Sequence, residues 1–113
     1  MVPGVVVVSR FDVPETGAAA FEQQAGEALS SLAQRPGFLR GRLGRCLDEP
    51  GLWALVSEWD DVGSYRRGLG AYDVKLATAP LMALSVPEPG AFEVVSACDD
   101  AAAPSPSPAD RAR

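Results

Sequence analysis

The segment from Leu52 to Trp59 is apolar on both of its alternating faces, and this limits the folds open to the chain. As a strand, it would direct Trp53, Leu55, Ser57 and Trp59 to one side and Leu52, Ala54, Val56 and Glu58 to the other. A strand of this kind needs cover on both sides of its sheet, because a large exposed apolar patch normally marks an interface. We therefore expect helices on one face and a second copy of the chain on the other.

The chain before this segment predicts a strand, a helix and another strand. A β-branched run indicates a strand over residues 5–13, and apolar residues spaced by three and four then predict a helix that ends at Pro36-Gly37. Residues 38–47 form the next predicted strand. The turn Asp48-Glu49-Pro50-Gly51 would join it to residues 52–59, because Pro presets φ and Gly accepts positive φ. These two strands are therefore expected to form a β-hairpin.

The chain after the hairpin predicts one interrupted helix and a last strand. Asp60-Asp61 can cap the helix, Gly68 and Gly70 should interrupt it and Pro80 should end or kink it. Residues 91–98 predict the final strand. The resulting β-α-β-β-α-β order predicts a ferredoxin-like α+β fold, with a four-stranded antiparallel sheet and both helices on one face.

The length and the composition of the C-terminal part define the domain organisation. The chain has 113 residues, which suits a single hydrophobic core. We expect one domain over residues 1–98. Residues 99–113 are rich in Pro, Ala and Ser and are predicted to form a disordered tail, since they cannot bury enough apolar surface to fold.

The composition excludes several classes of function. The absence of His removes Ser-His-Asp triads and imidazole metal ligands, and a net charge of -5 makes nucleic acid an unexpected partner. Cys46 and Cys98 lack metal-site spacing and are predicted to be buried thiols, and no glycine-rich stretch has phosphate-loop spacing. We expect neither a metal nor a cofactor. No apolar run approaches a membrane span, and the first eight residues lack a basic segment, so we expect no membrane partner and a cytoplasmic location.

Several short motifs, in their order and spacing, resemble the antibiotic biosynthesis monooxygenase (ABM) domain across about residues 4–98. They are Ser9-Arg10-Phe11-Asp12-Val13-Pro14, Arg35-Pro36-Gly37-Phe38, and Glu58-Trp59 followed by Tyr65. The later phrase Tyr72-Asp73-Val74-Lys75 with Ala79-Pro80 is similar to an actinobacterial branch of undefined substrate. The resemblance implies a dimeric α+β barrel. It also implies oxidation of aromatic polyketide-like compounds by molecular oxygen without metal or flavin.

The catalytic candidates are Trp59, Tyr65 and Lys75, of which the resemblance implies the first two; the family has an Arg in the later helical region, and Lys75 lies near that position. Trp59 and Tyr65 would line a pocket between sheet and helices, where the indole stacks on a flat substrate and the phenol hydroxyl holds its oxygen. Lys75 is the only Lys and would favour an anionic substrate oxygen. The alternatives are core packing for Trp59 and an ordinary surface position for Lys75.

A second set of candidates would bind the substrate, namely Ser9, Phe11, Leu55 and Tyr72. Ser9 and Phe11 share one face of the first strand. Family enzymes carry an Asn at the Leu55 position, so Leu55 removes a side-chain donor from this site. The leading hypothesis is a cofactor-independent monooxygenase acting on a small flat aromatic or quinol compound. The alternative is a non-catalytic small-ligand-binding or structural homodimer with the same fold.

Charged residues on the strands give a prediction about the sheet face opposite the helices. Arg10 and Glu58 alternate with Ser9 and Trp59, so both are expected on that face, where they could form an ion pair at a dimer interface. Arg40, Arg42 and Arg45 on the hairpin are expected to form a solvated edge that blocks the addition of another strand.

Overall fold

A computed structural model describes residues 4–99, and in this range four strands form one antiparallel sheet. The strands are β1 (Val5–Asp12), β2 (Phe38–Arg45), β3 (Leu52–Trp59) and β4 (Ala91–Glu93). The helices are α1 (Ala18–Ala33), α2 (Val62–Gly70) and α3 (Tyr72–Thr78), with short 3-10 helices at Glu15–Gly17 and Ala79–Leu84. The strand order β2-β3-β1-β4 confirms the predicted ferredoxin-like α+β fold.

The two faces of the sheet differ as the alternation in β3 predicted. Trp53, Leu55, Ser57 and Trp59 are buried, whereas their four neighbours in the strand are half-buried. We call the buried side, which packs on the helices, the inner face and the opposite side the outer face. On the inner face the core also includes residues of β1 and α1, namely Val5, Val7, Phe11, Phe21, Ala25, Ala28 and Leu32.

The predicted interruption of the second helix is confirmed after Gly70 but not at Gly68, which lies inside α2. The side chain of Asp61 caps α2 by accepting a hydrogen bond from the Ser64 amide at 2.8 Å. Ala71 then adopts an extended conformation with φ -68° and ψ 138°, which separates α2 from α3. Pro80 lies in the first turn of the following 3-10 helix, where its missing amide hydrogen costs little.

The last strand is shorter than the predicted residues 91–98, because its pairing with β1 ends at Val5 opposite Glu93. β4 ends at Glu93, and the Val94 amide bonds to the Gly4 carbonyl at 2.8 Å, just before β1 begins. The segment before β4 also runs alongside β1 and forms hydrogen bonds with it. The Val86 amide donates to the Arg10 carbonyl at 2.8 Å, and the Val8 amide donates to the Gly90 carbonyl at 2.7 Å.

Two further sequence predictions concern the thiols and the tail. The prediction of buried thiols is wrong, since Cys46 is half-buried beside the hairpin turn and Cys98 is exposed beyond β4. The predicted disordered tail, from residue 100 onward, lies outside the described residues. None of the helices in residues 4–99 is long and apolar enough to cross a membrane.

Candidate functional site

A cavity of about 410 Å³ lies between the inner face of the sheet and the helices. We call it the inner cavity. β1 and β3 contribute Val7, Ser9, Phe11, Leu55, Ser57 and Trp59 to its walls. The helical side contributes Leu32, Tyr65, Leu69, Thr78 and Leu81. Its volume and mostly apolar walls are typical of small-molecule sites, which range over about 300 to 1,000 Å³.

The rim of the inner cavity is formed by the segment that runs beside β1 before β4. Gly90 is required there, because a Cβ at this position would collide with the carbonyl oxygen of Val8. Between Gly90 and Val86 the prolines Pro87 and Pro89 offer no amide hydrogens, so the chain leaves the sheet edge opposite Ser9. Glu88, on this bulge, pairs with Arg10 at 3.7 Å. The only ion pair of the cavity wall in residues 4–99 is therefore at its rim.

Trp59 is held by protein on several sides and is 1% exposed. Its ring meets Phe38 edge-on with centroids 5.4 Å apart, and it meets Tyr65 at 6.1 Å. Its indole nitrogen donates a hydrogen bond to Ser57 Oγ at 3.0 Å. Such burial leaves the indole as a fixed part of the wall, with little surface on which a substrate could stack.

Three hydroxyl groups in the cavity wall are free to donate hydrogen bonds, those of Ser9, Ser57 and Tyr65. Within the described part of the chain, none of the three donates to a protein acceptor. By contrast, Thr78 donates to the Val74 carbonyl and Ser85 donates to the Met82 carbonyl, each at 2.9 Å.

The phenol of Tyr65 is a neutral donor at physiological pH. Burial raises the pKa of the Tyr65 hydroxyl above its ordinary value of 10.0, an effect that nearby Arg66 partly opposes. Tyr65 therefore keeps its proton and can offer it to a ligand oxygen. Among residues 4–99, no group of three or more His, Cys, Asp and Glu residues is placed to hold a metal ion.

The structure brings together most of the residues singled out from the sequence. Ser9, Phe11, Leu55, Trp59 and Tyr65 all line the inner cavity. Tyr72 and Lys75 do not line it, and Tyr72 is 76% exposed on α3. Lys75 is exposed, which agrees with the alternative interpretation that it is an ordinary surface residue.

Sequence reasoning assigned no role to Ser57, although the strand alternation already placed it on the inner face. A polar residue between Leu55 and Trp59 on a buried face was the available signal. The rim pair of Arg10 and Glu88 was also missed, because it depends on the path of the irregular segment before β4.

Comparison with known proteins agrees with this architecture. SnoaB, a cofactor-independent oxygenase from Streptomyces nogalater, is 29% identical to the chain in a mutant form, with a TM-score of 0.76 over 86% of this chain and 98% of SnoaB. A second SnoaB structure is 28% identical, with a TM-score of 0.75 over 87% of this chain and 99% of SnoaB.

More distant structures share the fold. A conserved protein from Methanosarcina mazei is 16% identical, with a TM-score of 0.70 over 81% of this chain and 91% of its own. No curated protein matches the chain significantly. The family model described as antibiotic biosynthesis monooxygenase matches residues 4–71, more than half of the sequence. The chain belongs to the antibiotic biosynthesis monooxygenase family.

Proposed function

We propose that the chain is a monooxygenase that oxidises a small, flat aromatic or quinol compound with molecular oxygen, without a metal or flavin. The observation that carries the proposal is the inner cavity, whose apolar walls present the free hydroxyls of Ser9, Ser57 and Tyr65. Family membership and the similarity to SnoaB, a cofactor-independent oxygenase, support the same reaction class.

The cavity chemistry suits a substrate that supplies its own electrons. A deprotonated phenol is electron-rich and can reduce oxygen, and hydroxyl donors such as Tyr65 stabilise its oxygen anion. With α-naphthol as substrate, one ring C–H becomes a carbonyl that carries one oxygen atom from molecular oxygen. The phenol becomes the second carbonyl, and the other oxygen atom leaves as water with the two hydrogens. Glu88 supplies the carboxylate among the described wall residues, and it is paired with Arg10 at the rim.

In this proposal the residues have different tasks. Phe11 and Leu55 supply apolar contact for the aromatic rings, while Ser9 and Tyr65 hold substrate oxygens. Trp59 acts through its neighbours, since it supports Tyr65 by ring contact and Ser57 by its hydrogen bond. Tyr72 and Lys75 are exposed outside the inner cavity, and the proposal assigns them no task.

A second candidate function is non-catalytic binding of the same class of ligand. It is favoured by the scarcity of ionisable groups in the described cavity wall, where Tyr65 is accompanied only by the rim pair of Arg10 and Glu88. General acid–base chemistry inside the cavity would then have no further group to use. In either case we propose a homodimer that covers the outer face of the sheet.

Oxygen uptake by metal-stripped protein tests the proposal. With α-naphthol, we expect consumption of one oxygen molecule for each naphthoquinone formed. Tyr65→Phe should slow the reaction, whereas Tyr72→Phe removes a phenol hydroxyl outside the cavity and should not. Ligand binding without oxygen uptake would select the second function. If no phenol in a panel binds or causes oxygen uptake, both proposed functions are excluded.

A further inference from the structure

We propose that Ser57 orients the ligand by donating its hydroxyl hydrogen to a carbonyl or phenolate oxygen in the inner cavity. This inference rests on the proposed function, since it assigns a specificity residue to the same site. It concerns a serine that lies two residues before Trp59 on β3 and is 5% exposed. The starting observation is the hydrogen bond from the Trp59 indole nitrogen to Ser57 Oγ at 3.0 Å.

The hydrogen bond from Trp59 determines which hydrogen-bonding capacity of the Ser57 hydroxyl remains. An indole nitrogen can only donate, so Ser57 Oγ must be the acceptor in this pair. A serine hydroxyl has one hydrogen and two lone pairs, and one lone pair is now in use. Trp59 therefore fixes the position of the oxygen while the Ser57 hydrogen remains available.

The described residues around Ser57 direct its hydroxyl hydrogen toward the inner cavity, because they offer it no acceptor. Across the sheet, Ser57 lies opposite Val7 on β1 and Gly41 on β2, and neither side chain has an acceptor. Leu29 of α1 occupies the space above Gly41, because a Cβ there would collide with Leu29 Cδ1. In residues 4–99 no protein acceptor takes the Ser57 hydrogen, and the residue lines the inner cavity. A ligand acceptor is the partner that this geometry calls for.

The donor character of the cavity defines the class of ligand. Ser9, Ser57 and Tyr65 all present hydroxyl hydrogens, while the carboxylate of Glu88 is confined to the rim and paired with Arg10. When an aromatic hydrocarbon fills the cavity, these buried donors have no acceptor, and the cost of the unsatisfied donors disfavours binding of the hydrocarbon. The site should therefore prefer flat aromatic ketones, quinones and phenolates over aromatic hydrocarbons of the same shape.

Binding of fluorenone and fluorene, followed by isothermal titration calorimetry, tests the inference. The two compounds share one flat ring system, and only fluorenone has a carbonyl acceptor. Wild-type protein should bind fluorenone more tightly. Because Ser57→Ala also leaves the Trp59 nitrogen unpaired, we compare it in the Trp59→Phe background, which has no indole N–H. There, Ser57→Ala should weaken fluorenone binding about five- to tenfold and leave fluorene binding unchanged.

Two further variants, made in the same Trp59→Phe background, compare side chains with and without a hydroxyl. Ser57→Thr retains a hydroxyl, whereas Ser57→Val has nearly the same shape without one, so fluorenone should bind more tightly to the Thr variant. Equal binding to these variants, or no loss from Ser57→Ala in the Trp59→Phe background, would show that Ser57 only pairs with the indole. That result overturns the inference and leaves the proposed function standing. Failure of wild-type protein to bind either compound removes the aromatic cavity and the inference together.

Discussion

Gly68 of α2 lies against the six-membered ring of Trp59, so that a Cβ on Gly68 would stand 2.7 Å from Trp59 Cη2. This distance is shorter than any ordinary carbon contact, so the two residues fit only because residue 68 has no side chain. The close approach lets α2 pack on the indole, and α2 also carries Tyr65 into the cavity wall. The glycine therefore determines how near the helix comes to the site.

Gly68→Ala should consequently destabilise the protein. Alanine has the better helix propensity, but overpacking against the buried Trp59 should outweigh that gain and cost about 1 to 3 kcal/mol. Gly70 is the matched control, since it lies in the same helix and a Cβ there meets nothing within 4 Å. Gly70→Ala should change the free energy of unfolding by less than about 1 kcal/mol. Equal thermal midpoints for both variants would contradict the contact.

Glu58 offers a second test, because its observed partner is Arg40. The two side chains form a hydrogen-bonded ion pair of 2.6 Å on the outer face, between neighbouring strands β2 and β3. Both are partly exposed, so a double-mutant cycle with Arg40→Ala and Glu58→Ala should give a coupling of about 0.2 to 1 kcal/mol in urea unfolding. The same cycle with Arg10→Ala in place of Arg40→Ala should give additive losses. Coupling between Arg10 and Glu58 would contradict the observed register.

The predicted ion pair of Arg10 and Glu58 shows that the face of a strand residue could be predicted from the sequence, whereas its partner on the next strand could not. Strand alternation placed both residues on the outer face, although the Arg10 side chain reaches Glu88 at the cavity rim beside β1, and β1 and β3 are neighbours as predicted. The pairing itself is wrong, because Glu58 lies opposite Val6 and Arg10 lies opposite Ala54. The relative shift of two strands that are distant in sequence depends on the whole sheet, and alternation carries no information about it.

The candidate site was predictable to a similar depth. The resemblance to the ABM domain implied a pocket at Trp59 and Tyr65, and these two residues line the inner cavity. Strand alternation placed Leu55 on the face of Trp59 and Ser9 on the face of Phe11, because a strand repeats its side-chain directions. The position of Glu88 depends on an irregular segment with two prolines, and the exposure of Tyr72 depends on how α3 turns after Ala71. Tertiary packing determines these features, and no short-range pattern encodes them.

The raised pKa of Tyr65 predicts an alkaline loss of stability. The unfolded chain releases the phenol proton near pH 10, whereas burial keeps the proton on the folded protein to higher pH. Above about pH 10 the unfolded state therefore binds fewer protons, and the free energy of unfolding falls until the folded pKa is passed. The contribution is fully present below pH 10. Urea midpoints between about pH 9 and 11 should fall less steeply in Tyr65→Phe than in wild type. If the urea midpoints of the two proteins fell equally with pH, the Tyr65 hydroxyl would be exposed to water in the folded protein.

The outer face of the sheet predicts a homodimer. Its centre consists of apolar residues such as Val6, Val8 and Val56, and Phe92 at its edge is 47% exposed. A second sheet packed on this surface would remove it from water, which is the main driving force for association. Light scattering should therefore give about twice the chain mass of 11.8 kDa at micromolar concentration. A well-folded wild-type monomer would contradict the prediction.

Val56→Lys should separate the dimer into folded monomers. Val56 lies opposite Val8 on one side and Arg42 on the other, so a lysine here would bring a charge into the apolar centre of the interface beside another cation. The monomer should remain folded, because Val56 is half-buried and outside the core of the inner face. Val62→Lys is the control, since it places the same change on the helical side at the start of α2. Sedimentation velocity should show a monomer for the first variant and a dimer for the second, and a dimer for both would place the interface elsewhere.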